Sequence, residues 1–415
     1  MFRAAHRLPI EYRAPWNADF ADRLQAMIAR PRHIAYFYES PDTSTFRYRV
    51  FNMVQALAGV FQGETSAAWF HTADLGKMES FVDRADALVL CRTRYRPEID
   101  RMLLRARARG VRILYDVDDL VFDPAHVTLV LDTLKQNITD EATLDLWFAS
   151  FARNGNLLQL SDRAIATNGF LAQRISAFAP HVETRVIPNF LNQEQQALSS
   201  RLFTEKQRSG FLNDDRVHVG YFSGSPTHDR DFAIAAPALA RTLETDPRVV
   251  LRIAGFLNLE ERLARHSDRI EFHPLQDFLN LQRLIAEVEI NIAPLQNNLF
   301  TNCKSELKYF EAAITGSITI ASPTYTFARA IADGENGFLA ASYEWDVKLK
   351  AAIDLTCRPE RYAEMAVRGF KHARANYGWN RYASLIEETI FANGAEAPSE
   401  PPAPVPGLAG AEVGS

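Results

Sequence analysis

The sequence predicts an α/β protein built from two doubly wound parallel sheets, each with helices on its faces. The first observation is an alternation. Short apolar runs such as HIAYFYE (33–39), ALVLCR (87–92) and VVLRIAG (249–255) are separated by stretches with helical periodicity. The second is a restart: the polar segment from Phe190 to Asp215 gives way to VHVGYF (217–222), and the alternation begins again. The third is size, since 415 residues exceed one typical domain.

Composition bounds the function. Hydrophobic content of 47% and charged content of 23% are those of an ordinary globular protein. A net charge of -5 argues against a general nucleic-acid binder. The cysteines, Cys91, Cys303 and Cys357, are scattered and odd in number, which favours free thiols in a reducing compartment over a disulfide framework or a zinc site. No apolar run approaches the ~20 residues that span a bilayer. The opening MFRAAHRLPIEYRAPW carries charges where a signal peptide needs its apolar core. The expected location is therefore cytoplasmic.

In chain order, residues 1 to about 31 read as an irregular, partly helical lead-in. The first strand is 33–39. The loop SPDTST follows, with Ser44 or Thr45 as cap of a helix that carries Phe46, Val50, Met53, Val54 and Leu57. Arg47 and Arg49 fall in that helix's first turn, where the dipole disfavours cations. They point to an anionic partner, either a substrate phosphate or an internal carboxylate, or else are simply solvated. A basic helix from about Pro97 to Arg109 contains RMLLRARAR, which reads as a solvated face or as a surface for peripheral membrane contact. The next strand, in VRILYDVDDL, places Asp116, Asp118 and Asp119 at its C-terminal end, where open α/β sheets bind ligands. These carboxylates either hold a divalent metal or order the rim of a cleft. Helices from about Asp140 to Arg153 and from Gly169 to Phe178 bracket a strand at Ala164–Asn168, and Arg185–Asn189 closes this half.

In the second half Ser223, Gly224 and Ser225 form a small-residue turn after the strand, and a helix runs from Asp229 through Leu243. Backbone N–H groups of such a turn can approach a phosphate. Strands at 249–255 and 269–275 and a helix at Asp277–Glu287 lead to INIAPLQNNLFTNCKSELKYFEAAITGSITIAS (290–322), on which the chain is centred. It reads as a strand stopped by Pro294, a polar loop (Gln296–Asn302), a helix from about Cys303 to Thr315 closed by Gly316, and a strand from Ser317 to Ser322. Lys304, Lys308 and Glu311 then share one helix face, a seat for phosphate at a helix N-terminus or an ordinary solvated Lys–Glu face. DGENGFLA (333–340) is a tight loop before a short strand.

Four stretches in order carry a resemblance: VIPN (186–189), SGSPTHDRDF (223–232), KSELKYFEAAITGSITIAS (304–322) and IADGENGFLA (331–340). With ANYGWNRYASLIEETI (375–390), they resemble the GT-B glycosyltransferases of the group-1, family-4 type, in a bacterial polysaccharide subset. The match covers about 185–392; the first half is similar only in layout. The resemblance implies two Rossmann-like domains with a deep interdomain cleft and a C-terminal helix crossing back to the first domain. It divides the chain into an acceptor-side domain (1–190), a connection (191–215), a nucleotide-sugar domain (216–360), crossing helices (361–392) and a disordered tail (393–415).

The resemblance also implies a nucleotide-diphosphate sugar donor, with no metal or other cofactor. Glu311 matches the glutamate that binds the ribose hydroxyls. Lys308 and the Ser223–Thr227 loop, including Ser223, Gly224, Ser225 and Thr227, would face the diphosphate together with Lys304 and Arg230. Leu275 matches a position whose backbone reads the base. Two departures stand out. The family's first glutamate falls at Cys303, so Asn302, Ser305 or Lys304 would take the sugar hydroxyls, and His228-Asp229-Arg230 replaces the usual phosphate pair of the first loop. Lys308 and Glu311 are the implied catalytic residues, with Asp118 on the acceptor side. The function implied is retaining, metal-independent transfer to a glycan or lipid-linked saccharide in bacterial surface polysaccharide synthesis. A nucleotide-sugar epimerase and a degenerate, non-catalytic glycan- or nucleotide-binding module are the alternatives.

Overall fold

The computed structural model describes residues 9–211, 214–224 and 226–392. The Pro- and Ala-rich tail expected to be disordered lies outside the described residues. Each half of the chain forms one six-stranded, wholly parallel sheet. The first holds β1 (Arg32–Phe37), β2 (Thr65–Phe70), β3 (Ala87–Cys91), β4 (Arg112–Val117), β5 (Arg163–Ala166) and β6 (Glu183–Val186), in the order β2-β1-β3-β4-β5-β6. The second holds β7 (Val217–Ser223), β8 (Val249–Gly255), β9 (Ile270–His273), β10 (Ile290–Ala293), β11 (Ile318–Ala321) and β12 (Phe338–Leu339), in the order β12-β11-β10-β7-β8-β9. Strands β3, β5, β7, β10 and β11 are buried along their whole length, as parallel strands covered on both faces must be. The strand order reverses between β1 and β3 in one sheet and between β7 and β10 in the other. Crevices at such reversals, outside the carboxyl ends of the strands, are where open sheets take ligands.

The helix after β1 shows how the first domain reaches across. Thr43, rather than Ser44 or Thr45, caps it, accepting a bond from Phe46 N at 3.0 Å. Within residues 44–58 the stretch Arg47–Phe51 is a π-helix. The wider turn brings Arg47, Tyr48, Arg49, Val50 and Phe51 all into buried positions, which an α-helix with one apolar stripe would not do.

The polar connection contains a helix, Gln193–Arg208, with Asn192 as its cap. It packs against helix Phe278–Ala286 of the second domain. Its buried face includes Gln195, Ser199 and Lys206, and the Lys206 ammonium donates to Val288 O at 2.7 Å and Ser317 Oγ at 2.9 Å. The helix expected from Asp229 to Leu243 is two helices, Asp229–Ala233 and Ala236–Thr245, because Pro237 restarts the helical ladder. The lead-in is tied to the second domain: Ile10 N donates to Asn280 Oδ1 at 2.9 Å, and Asn280 Nδ2 donates to Ile10 O at 3.0 Å.

Helix Ala383–Phe391 crosses back, burying Ile386 and Ile390 among first-domain residues that include Ile34, Leu57 and Ala87. Arg112 donates to Ile390 O at 2.7 Å and Arg163 donates to Thr389 O, so two guanidiniums cap the last free carbonyls of that helix.

Gly255 sets the spacing beneath the second crevice. Its φ is +94°, and a Cβ there would lie 1.8 Å from Ser223 O. Gly255→Ala is therefore expected to lower stability by at least ~1–3 kcal/mol, read as a fall in melting temperature. A substitution that left the melting curve unmoved would show that β7 and β8 can spread freely.

Candidate active site

The second-domain crevice lies between the loop after β7 and the segment after β10. That segment is not the single helix the sequence suggests. A short helix, Leu299–Asn302, is followed by the non-helical residues 303–306 and then by helix Leu307–Ala313. Lys304 is therefore not on the helix face of Lys308 and Glu311.

Lys308 opens that helix half-buried, with its ammonium 4.7 Å from the centroid of the Tyr221 ring on β7. It makes no hydrogen bond or ion pair with any described residue. Burial pushes its pKa down to about 8, against the attraction of Asp231 and Glu311 and with repulsion from Lys304. His228 stands beside it, its Nδ1 3.1 Å from Asp231 Oδ2. Burial holds that imidazole below its usual range, and Lys308 and Lys304 add to the effect against the Asp231 hydrogen bond. Burial also works on Asp231, yet the bonds from His228 and from Gln296 N (3.0 Å) hold its carboxyl below the usual range.

Glu311 lies one turn beyond Lys308 and is 7% exposed. Its Oε1 accepts from Tyr48 OH at 2.5 Å, Gln195 Nε2 at 3.2 Å and Arg47 at 3.3 Å. Arg47 also lies over the rings of Tyr48 and Phe278. Glu311 thus joins the first domain, the connecting helix and the second domain at one oxygen.

The other second-domain residues divide between the crevice and structural duties. Lys304 donates to Asp119 Oδ2 at 3.1 Å, and Arg230 to Asp132 Oδ1 at 2.6 Å, so both cations meet first-domain carboxylates across the cleft. Ser305 Oγ accepts from Asn189 Nδ2 at 2.9 Å. Asn302 is used locally: its Nδ2 donates to Asn297 and Asn298, and its Oδ1 accepts from Tyr325 N at 2.8 Å. Cys303 is wholly buried, in the same cluster as first-domain core residues, and its carbonyl accepts from Asn168 Nδ2 at 2.8 Å. Ser223 ends β7 and is buried, Gly224 is exposed, and Thr227 sits in the 3-10 turn Pro226–His228. Ser225 lies outside the described residues. Leu275 is 57% exposed beyond the end of β9, at the sheet edge away from the reversal.

On the first-domain side each aspartate at the end of β4 or just past it meets a cation. Asp116 is buried and accepts from Arg49 Nε and NH2, both at 2.8 Å. Asp118 accepts from Thr45 Oγ1 at 2.7 Å and from Arg92 at 3.2 Å. Asp119 holds Lys304. Their oxygens are turned to three different partners, which does not suit one shared divalent ion, and no metal-binding cluster occurs among the described residues. The misplaced charges of the helix after β1 also find internal carboxylates: Arg49 has Asp116 and Arg47 has Glu311. Part of the charge of the basic helix Pro97–Ala108 and its C-cap is met internally, since Arg105 binds Asp83 and Glu79 and Arg109 binds Asp83. None of the described helices is long and apolar enough to cross a membrane.

Sequence reasoning named His228 only as a departure from the usual phosphate pair, and it did not single out Tyr221, Asp231, Tyr48 or Gln195. The His228–Asp231 spacing of three residues was a legible signal for a local pair. Tyr48 and Gln195 carried none, since their partner Glu311 is distant in the chain.

A cation on the floor of a crevice, with further cations at its mouth, can stabilise negative charge that develops on a departing diphosphate. Residues 217–356 match the family of group 1 glycosyl transferases. No curated protein matches the sequence. Among solved structures, HepE of Anabaena in complex with UDP and glucose superposes with a TM-score of 0.57 at 14% identity, covering 86% of this chain and 98% of that one. Sucrose-phosphate synthase of Thermosynechococcus elongatus gives 0.55 at 14% identity, covering 86% and 97%. TarM of S. aureus, in complex with fondaparinux, α-GlcNAc-glycerol and UDP, gives 0.50 at 13% identity, covering 76% and 57%. The chain thus carries a group 1 glycosyl transferase domain on its second sheet and shares the two-sheet GT-B fold of these proteins.

Proposed function

We propose that this glycosyltransferase takes a sugar from a nucleoside-diphosphate donor seated on the second domain. It passes the sugar to a saccharide acceptor, free or lipid-linked, on the first domain, in the synthesis of a bacterial surface polysaccharide. The observation that carries the reading is Lys308: a half-buried ammonium without a counter-ion among the described residues, at the strand reversal of the group 1 domain. Such a group is unfavourable in the free protein and is matched by a diphosphate. HepE, solved with UDP and with UDP-glucose, makes a uridine donor the first to test. Glu311 would exchange Tyr48 and Arg47 for ribose hydroxyls, and Lys304 and Arg230 would exchange carboxylates for phosphate oxygens. With the three aspartates already turned to cations, transfer proceeds without a metal ion and, on the resemblance, with retention of configuration. The three unpaired cysteines fit a reducing cytoplasm.

The test is a melting-temperature panel with UDP, GDP, dTDP, ADP and CMP, with and without Mg²⁺, on wild type and Glu311→Ala. A ligand at a hundred times its Kd stabilises by about 2.7 kcal/mol. One diphosphate is expected to raise the wild-type melting temperature without metal and to leave Glu311→Ala unmoved. A shift seen only with Mg²⁺ would overturn the metal-free reading, and no shift with any nucleotide would overturn the donor site.

A further inference from the structure

The first sheet has its own strand reversal, between β1 and β3, and a cavity of about 450 Å³ opens there. Tyr38 and Glu39 line it from the end of β1, and Arg92 and Arg94 from the end of β3. Trp147 and Leu146 wall it from helix Glu141–Gln159, with Leu146 at the rim and 72% exposed. All of these residues belong to the first domain, apart from the donor cations.

The two arginines are held but not used up. Arg92 donates to Asp118 from NH1, and its Nε and NH2 make no bond to any described residue. Arg94 donates to Glu39 from Nε at 3.1 Å and from NH2 at 2.5 Å, leaving NH1 without a partner among the described residues. The carboxylates orient each planar fork and leave one edge of it without a bond to any described residue, on two arginines that both line the cavity. The backbone supports the same placement. Arg92 has a φ of +42°, a left-handed conformation that side chains rarely adopt, and its N–H is fixed by Asp116 O at 2.8 Å. The cavity lining itself carries two guanidiniums against the one carboxylate of Glu39.

We infer that this cavity seats an acidic saccharide, with its carboxylate or phosphoryl group on the free edges of Arg92 and Arg94 and its sugar ring against Trp147 and Tyr38. Two oriented guanidinium edges match the paired oxygens of such a group, and the flat aromatic faces cover the C–H face of a ring. This rests on the glycosyltransferase reading and deepens it by assigning a negative charge to the acceptor.

The test is ligand-observed NMR titration at low salt with methyl glucuronide, glucose 6-phosphate and methyl glucoside. It is run on wild type, Arg94→Gln, Glu39→Gln and Lys308→Ala. At least one acidic sugar is expected to bind roughly tenfold more tightly than the neutral glucoside. Which of the two is preferred identifies the acidic group as carboxylate or phosphoryl. Arg94→Gln removes the preference, Glu39→Gln strengthens it by freeing Arg94, and Lys308→Ala leaves it in place. Equal binding of all three sugars, a preference that survives Arg94→Gln, or one lost in Lys308→Ala would overturn the inference. The nucleotide melting shift is read on the same preparations. If that shift persists while the acid preference is absent, this inference alone fails.

Discussion

Lys308→Met is expected to lower kcat/KM by on the order of 10²–10³-fold, the scale on which loss of one preorganised charge-stabilising group is felt. The ligand-free variant should nevertheless melt no lower than wild type. The ammonium is half-buried, its pKa is pushed down to about 8 by burial, and it has no counter-ion among the described residues. In the unfolded chain a lysine titrates near ~10.4. Between those two values the unfolded state binds the extra proton, so keeping Lys308 charged works against folding and its removal does not destabilise. The same depressed value sets a pH dependence. Donor binding needs the protonated form, so kcat/KM should fall as pH rises through about 8. Lys308→Arg keeps its charge at every accessible pH and should lose that alkaline limb while retaining part of the activity. Steady-state kinetics across pH check both statements. An alkaline limb that persists unchanged in Lys308→Arg would assign it to another group.

The largest effect on stability should come from Arg49→Met, at about 3–5 kcal/mol, the usual consequence of leaving one member of a buried pair uncompensated. Arg49 is wholly buried, binds both oxygens of Asp116, and donates from NH1 to Ile187 O at 2.8 Å and to Asn189 Oδ1 at 3.1 Å. It therefore ties β4 to the chain just past β6. Burial already raises the Asp116 pKa against the pull of Arg49. Without the guanidinium, Asp116 must take a proton or remain charged in the core. The double variant Arg49→Met/Asp116→Leu should recover much of the loss, because it removes the stranded charge. Urea unfolding of the singles and the double measures this. Losses that simply add would show that the pair is not what makes the site sensitive.

How far the architecture was legible depended on what each segment buries. Strands β3, β10 and β11 could be read because continuous apolar runs are what a parallel sheet covered on both faces requires. Strand β2, TSAAWF, was not seen, since four of its six residues are small or polar and give no run. Helix Gln193–Arg208 read as a loose connection because Gln195, Ser199 and Lys206 occupy its buried face. Their burial is possible only with partners from elsewhere, such as Glu311 for Gln195 and Val288 O for Lys206. The lysine pair was misread in its geometry. The break at residues 303–306 takes Lys304 off the helix and delivers it to Asp119.

By itself the sequence determined the two-sheet α/β class and the resemblance of its second half to the group 1 glycosyltransferases. These follow from local periodicity and from short ordered motifs, which a chain carries whatever surrounds it. Only the tertiary structure decided that the arginines after β1 answer internal carboxylates, that Asp116, Asp118 and Asp119 are shared among three cations, and that Arg92 and Arg94 line a cavity with donors unbonded to any described residue. Those are contacts between residues far apart in the chain. Their charge and orientation depend on burial and on a partner's position, and neither is encoded in spacing along one strand or helix.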